Sequence, residues 1–279
     1  MLRIVVDSTA DMSEELKSQF TIVPLNVSFG DEHYVDGVTI DHAAFYQKLE
    51  TCSDLPKTSQ PSPDAFMRVY EEARQAGDTL LVLCVSSRLS GTYQSAMIAA
   101  QDYPETVLVV DTLHVANAVG ILAEYALQLA HQGKSAQEIA DAIIAERGNV
   151  QLYALVDTLE YLQKGGRLSK TAAFAGTLLS LKPIVNIRDG VLGTLAKARG
   201  MKQGQQMLAK EMLAADIDFD KPYLMAYSGL TDEKLQKFLQ DNAAVFAKGI
   251  QDVRTVPLCP VVGTHAGPGA VVAAFFKKH

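Results

Sequence analysis

The sequence predicts an α/β protein of two domains: an N-terminal parallel-sheet α/β domain over residues 1–148 and a C-terminal α+β domain with some antiparallel strands over residues 149–279. Three observations carry this reading. Short apolar runs alternate with helical segments through the first half, the rhythm of a parallel sheet covered by helices on both faces. The second half changes style, and Asp189-Gly190 stands between two short β-prone runs, a strong hairpin signal. The chain has 279 residues, 48% of them hydrophobic, which suffices for two domains of ordinary size.

Taken in order, Leu2 to Val6 reads as a buried strand, and Ser13 caps a helix start after the loop that opens at Asp7. Thr21 to Val27 is the next strand, 35–38 a turn, and Asp41 opens a helix through about Leu49. Pro61 and Pro63 forbid helix before about Asp64 and hold Thr58 to Gln60 extended. A helix to Gln75 stops at Gly77, a strand covers 79–85, and a small-residue helix runs from Gln94 to about Gln101. Strand Thr106 to Val110 follows, then helices Ala116 to Gln132 and Ser135 to Arg147, stopped by Gly133 and Gly148. Beyond the boundary come a strand from Leu152, a helix from Leu159 to Lys164, Gly165-Gly166, and a helix capped by Ser169. Hairpin strands at 183–187 and 191–195, a helix from Gly200 to Ala215, strand Tyr223 to Tyr227, helix 231–247, strand 251–256 and a Gly-rich segment close the chain.

Composition removes several function classes. A formal net charge of −7 without a basic run argues against nucleic acid, since neutralising phosphates needs a basic patch. Cys52, Cys84 and Cys259 share no C-x-x-C spacing, so neither a disulfide framework nor a thiolate metal site is expected, and a reducing cytoplasm is the default location. Asp7 interrupts the apolar N-terminus too early for a signal peptide, and no apolar run approaches the ~20 residues of a membrane span.

Three loops follow directly on apolar runs, at Asp7, Ser86 and Asp111, and loops so placed in a parallel sheet share the rim where ligands bind. The second of them, Ser86-Ser87-Arg88-Leu89-Ser90-Gly91-Thr92-Tyr93, carries hydroxyls and a glycine ahead of a helix start. Unpaired N–H groups and the helix dipole favour an anion there, and Gly91 permits close approach. No Lys adjoins the loop and no G-x-x-x-x-G-K-[ST] is present, so a single carboxylate or phosphate fits better than a polyphosphate. A plain Ser-capped helix accounts for the same residues. Thr58 and Ser59 form a second hydroxyl loop.

Arg167 follows Gly165-Gly166, Arg199 precedes Gly200, and His265 sits in Gly263-Thr264-His265-Ala266-Gly267-Pro268-Gly269. Arg forks hydrogen bonds to a phosphate and His stabilises or shuttles charge near neutral pH. Each alone is explained more simply as a solvated cation or a turn residue; a functional role requires that they meet in space. The remaining histidines, His33, His42, His114, His131 and His279, lack metal-ligand spacing, and G-x-S-x-G is absent. Gln132-Gly133-Lys134-Ser135 mimics the end of a P-loop but joins two helices, with Gln128 where the first glycine belongs. Asp7-Ser8-Thr9 is similar to an aspartyl phosphotransferase nucleophile, yet Thr9 stands where such sites set a second acid, which favours a capping role for Asp7 or Ser8.

Taken together, the motifs resemble the DegV family, bacterial fatty-acid-binding proteins that serve as the B subunit of fatty acid kinase. The matching stretches are Val6-Asp7-Ser8-Thr9-Ala10-Asp11, Lys57-Thr58-Ser59-Gln60-Pro61, Ser86-Ser87 with Leu89-Ser90-Gly91-Thr92-Tyr93, Lys164-Gly165-Gly166-Arg167-Leu168-Ser169, Lys182-Pro183-Ile184, Lys197-Ala198-Arg199 and Thr264-His265-Ala266-Gly267-Pro268-Gly269. Arg88 departs from the pattern, where smaller residues are common. The resemblance implies one long-chain fatty acid between the domains as the bound ligand, with no other cofactor. It implies that Thr58 and Ser90, with Ser59 and Gly91 beside them, hold the carboxylate. It also implies that Arg167, Arg199 and His265 face an ATP-dependent, dihydroxyacetone-kinase-like partner subunit that forms the acyl phosphate. Burying about 15 methylenes at ~0.8 kcal/mol each supplies on the order of 12 kcal/mol before ordering costs, so affinity comes from the tail and the head group needs only orientation. On this reading the chain is a carrier, not a stand-alone enzyme, and transient membrane contact is compatible with it. The reading of another class is a small-molecule phosphotransferase or hydrolase using Asp7 and His265.

Overall fold

The computed structural model describes residues 1–168 and 181–278; the helix expected after Ser169 lies outside them. In chain order come β1 (Leu2–Asp7), α1 (Glu14–Lys17), β2 (Thr21–Val23), β3 (Asn26–Phe29), β4 (Glu32–Val35), α2 (His42–Thr51) and β5 (Lys57–Ser59). There follow α3 (Pro63–Ala76), β6 (Thr79–Cys84), α4 (Thr92–Ala100), β7 (Val107–Asp111), α5 (Asn117–His131) and α6 (Ala136–Glu146). The second half holds β8 (Val150–Leu155), α7 (Glu160–Lys164), β9 (Leu181–Arg188), β10 (Val191–Arg199), α8 (Gly200–Ala214), β11 (Tyr223–Tyr227), α9 (Glu233–Asp241), β12 (Thr255–Pro257), α10 (Pro260–Ala266) and β13 (Val271–Phe276).

A four-stranded parallel sheet, ordered β2-β1-β6-β7, forms the first half, and a six-stranded mixed sheet, β10-β9-β8-β13-β11-β12, forms the second. Helix α5 lies between them, packed on β1 and β6 on one side and on β8, β11 and β13 on the other. Its Ala118, Val119, Ile121, Leu122 and Ala123 are accordingly all buried, the signature of a helix apolar around its whole circumference. The second sheet is buried on both faces. Leu152 and Ala154 of β8 and Val272 and Ala274 of β13 join the core around α5. Their alternates Tyr153, Leu155, Ala273 and Phe275 join the core beneath α8 and α9.

Local signals account for most boundaries. Ser135 and Glu138 form a capping box at the start of α6, and Gly77, at φ 70°, ends α3. Asp189 and Gly190, at φ 49° and 79°, make the β9–β10 turn in the twist that a two-residue hairpin requires.

Four expectations are corrected. The strand read as Thr21 to Val27 is two: Pro24 breaks it, β2 edges the parallel sheet, and β3 centres a three-stranded antiparallel sheet ordered β4-β3-β5. Helix α3 starts on Pro63 itself, since the missing N–H of a first-position proline has no helical partner to lose. The long helix expected over 231–247 stops at Asp241, and Thr255–Pro257 is the only strand within the stretch read as 251–256 and its flank. The closing Gly-rich segment contains α10 and β13, and β13 is an inner strand of the second sheet.

Candidate functional site

The loops after β1, β6 and β7 share one rim. The buried Asp7 carboxylate accepts the Val85 N–H (2.6 Å) and the Thr9 N–H and hydroxyl, and Asp111 accepts the Ser87 and Leu113 N–H groups. Asp7 is thus spent on local structure, and burial holds its carboxyl above the usual range. Across the rim, the Ser86 hydroxyl donates to the Gly190 carbonyl (2.8 Å), docking the hairpin turn onto this loop, with the aliphatic stem of Arg88 alongside.

Between this rim and the second sheet lies a cavity of about 330 Å³. Leu152, Ala154, Val185, Leu192 and Val272 wall it from the second sheet, Val85, Leu89 and Ala116 from the first, and Leu258, Val261 and Val262 from the start of α10. Its polar lining is Thr9, Thr58, Ser59, Gln60, Ser90, Arg167 and His265. An apolar recess with a few convergent polar groups is the usual form of a small-molecule site.

The polar side chains reach this place from three directions. Thr58 comes from β5, paired opposite Val27, and its Oγ1 lies 2.9 Å from His265 Nε2 in the last turn of α10. Gln60, one step past β5, donates to Ser95 Oγ (3.0 Å) and crosses Gly91, where any Cβ would collide with it. Gly91 therefore joins the two hydroxyl loops by admitting the Gln60 side chain. Ser90 Oγ lies 2.8 Å from Thr92 Oγ1 and accepts the Thr92 N–H at 3.3 Å, so it caps locally while lining the cavity. Arg167 donates from Nε to the Leu89 carbonyl (3.1 Å) and from Nη1 to the Gly165 carbonyl (2.7 Å), tying the turn after α7 to the Ser90 loop. A Cβ on Gly165 would strike His265 Nδ1, so the glycine is what lets α7 and α10 approach.

Burial, and next the positive charge of Arg167, push the His265 imidazole down to about 4, which leaves it neutral near pH 7. Its Nδ1 is buried without a hydrogen-bond partner. Of the residues singled out, Thr58, Ser59, Ser90, Arg167 and His265 line this one cavity, and Gly91 adjoins it. Arg199 does not line it; it is exposed at the junction of β10 and α8, its N–H bonded to Gln203 Oε1. Thr9 and Gln60 are lining residues whose only sequence signal was membership of the motif loops. Among the described residues no group of three or more His, Cys, Asp or Glu side chains is placed to hold a metal ion, and no helix is long and apolar enough to cross a membrane.

Comparison with known proteins agrees with this architecture. The family model described as "Uncharacterised protein, DegV family" matches residues 1–278. A DegV domain-containing protein of Caldanaerobacter subterraneus subsp. tengcongensis is 32% identical over 283 residues, covering 99% of each chain. A solved DegV family protein from Thermus thermophilus, described for its fatty acid binding, superposes with TM-score 0.89 at 32% identity over 99% of each chain. The fatty acid kinase (Fak) B3 protein of Streptococcus pneumoniae, solved loaded with linoleic acid, superposes with TM-score 0.86 at 25% identity over 100% of each chain. On sequence and fold alike, this chain belongs to the DegV family.

Proposed function

We propose that the protein binds one long-chain fatty acid between its two domains, 1–148 and 149–279, and presents the carboxylate to an ATP-dependent fatty acid kinase subunit for conversion to acyl phosphate. The observation that carries this reading is the polarity of the cavity, whose apolar walls meet two bonded pairs, Thr58 with His265 and Arg167 with the Ser90 loop. The Thermus and pneumococcal relatives, described respectively as fatty-acid-binding and as loaded with linoleic acid, support it.

In this reading the Thr58 and Ser90 hydroxyls donate to the carboxylate, with Ser59 and the Gly91 backbone beside them. A hydroxyl has one hydrogen, so Thr58 donates to the lipid only when His265 gives its Nε2–H to Thr58 Oγ1. That tautomer makes the unpartnered Nδ1 a bare acceptor. Neutral donors orient the head group without burying an ion pair whose desolvation would offset its attraction. Arg167 and His265 at the cavity form the face toward the kinase subunit, which brings the ATP; Arg199, exposed at the start of α8 outside the cavity, is assigned to that face on the family resemblance alone.

Organic extraction and mass spectrometry of protein purified under lipid-preserving conditions tests the binding: one fatty acid per chain is expected, and an empty protein overturns it. For the kinase step, acyl phosphate forms only when the partner subunit and ATP are added. Turnover of ATP or a phosphate ester by the isolated chain, abolished by Asp7→Asn, would instead establish the phosphotransferase reading with Asp7 and His265.

A further inference from the structure

Helix α10 carries four cavity-lining residues, Val261, Val262, His265 and Ala266, and its position depends on the Leu258–Cys259 turn from which it projects. Residues of the first half grip that turn. Asp11, after β1, accepts the Cys259 N–H on Oδ1 at 2.8 Å, while its Oδ2 is buried without any partner. His42, at the start of α2, places Nδ1 2.9 Å from the Leu258 carbonyl and Nε2 2.8 Å from the Gly229 carbonyl. A neutral imidazole has one N–H and satisfies one of these carbonyls; the doubly protonated ring satisfies both. Asp36, past β4, accepts the Ser8 hydroxyl at 2.8 Å with the Cys259 thiol on its other side.

We propose that Asp11 is a positioning residue for the lipid site: its carboxyl and the His42 ring clasp the root of α10, and ionisation of that carboxyl loosens α10, withdraws His265 from Thr58 and speeds lipid exit. This rests on the fatty-acid reading of the cavity. The geometry gives the direction. Ionisation strengthens the Cys259 N–H bond at Oδ1, but it leaves a buried charge whose Oδ2 accepts no hydrogen bond, beside a second buried carboxyl at Asp36.

Burial and the Asp36 carboxyl act in that direction and outweigh the Cys259 N–H, the Cys259 thiol and Lys17, which favour the charged form. From α1 comes Lys17, which is bonded to Glu14 at 2.7 Å. From α2 comes Tyr46, whose hydroxyl is itself buried without a partner; Cys259, the cap of α10, stands opposite; and Gly120 of α5 packs against the Asp11 main chain. Burial pushes the Asp11 carboxyl up to about 8 and that of Asp36 to about 6. His265, already neutral above about 4, does not titrate in the same range.

The test is the dissociation rate of cis-parinaric acid, a fluorescent C18 fatty acid, from the wild-type protein and from Asp11→Asn between pH 6 and 9. Asn keeps the acceptor for Cys259 and cannot lose a proton. The wild type should release the probe on the order of tenfold faster at pH 9 than at pH 6, and Asp11→Asn should keep only the smaller change that Asp36, at about 6, contributes near the acid end; any titration of the probe itself is common to both. Parallel pH profiles overturn the proposal. If neither protein binds the probe, the fatty-acid reading fails separately, and the clasp is judged by thermal melting. A Tm that falls from pH 6 to 9 more steeply in the wild type than in Asp11→Asn upholds it, and equal slopes reject it.

Discussion

Thr58 Oγ1 and His265 Nε2 lie 2.9 Å apart although 207 positions separate them in the chain. The contact joins the three-stranded sheet of the first half to α10 of the second, at the polar end of the cavity. Thr58→Val keeps the shape and removes the hydroxyl, leaving the mostly buried His265 ring without its bond. A lost hydrogen bond to a charged group costs about 1.5–3 kcal/mol, so fatty-acid affinity should fall by roughly 10- to 100-fold, with Thr58→Ser close to wild type. Equilibrium titration with a fluorescent fatty acid measures this; a Val variant binding as tightly as wild type removes Thr58 from the carboxylate site.

Ser90 and the two arginines should separate binding from presentation. Ser90 lines the cavity, Arg167 spends Nε and Nη1 on backbone carbonyls, and Arg199 is exposed outside the cavity. Ser90→Ala should weaken lipid binding several-fold. Arg199→Ala and Arg167→Ala should retain bound lipid while acyl phosphate formation with the kinase subunit slows by tenfold or more. Extracted lipid and coupled turnover are measured on the same preparations, and equal lipid loss in all three variants contradicts the division.

Much of the fold was legible because local chemistry and tertiary position coincide. The run Leu80-Leu81-Val82-Leu83-Cys84 is apolar throughout because β6 is an inner parallel strand buried on both faces. Asp189-Gly190 announced its hairpin because few other pairs tolerate both positive φ values. By contrast, Pro24 splits one apolar run between two sheets, a decision made by packing that hydrophobic pattern does not encode. Strand β13, Val271-Val272-Ala273-Ala274-Phe275-Phe276, carries as plain an apolar run as β6 but was overshadowed by the glycines before it. The cavity walls were illegible for another reason: Val185 and Val272 line the cavity, Ile184 and Val271 face packed side chains, and the residue types are alike. The polar end could be assembled only through the family motifs, since spacing alone does not bring residue 58 to residue 265.

Acid should destabilise the protein through two buried histidines. His265 and His114 are both pushed from 6.5 down to about 4, chiefly by burial, and His114 Nε2 is 2.8 Å from the Arg147 carbonyl. A depressed histidine favours the neutral form in the folded state, so its contribution is fully present above 6.5 and is lost as pH falls through about 4. The ceiling is on the order of 3 kcal/mol per histidine. Asp11 and Asp36 act in the opposite sense, because raised carboxyls stabilise toward acid. The clean measurement is therefore differential: His114→Gln, which keeps a donor for Arg147, should lose less Tm than wild type between pH 6.5 and 4. Identical slopes would show that folding does not depress His114.

Ala154 should set the length of chain the cavity accepts. In register it stands between Val272 of β13 and Val185 of β9, and all three side chains line the cavity, so the smallest residue occupies the middle of the wall. Ala154→Leu adds three carbons of volume into space that the acyl chain would otherwise fill. Because the new side chain enters a cavity and not a packed core, little of the usual overpacking cost applies, and Tm should stay near wild type or rise. The bound lipid should shift to acids shorter by about three carbons, at a cost to the longer ones of ~0.8 kcal/mol per displaced methylene. Mass spectrometry of lipids extracted from the variant reads this directly, and an unchanged length profile at full occupancy would show that the tail runs along another wall.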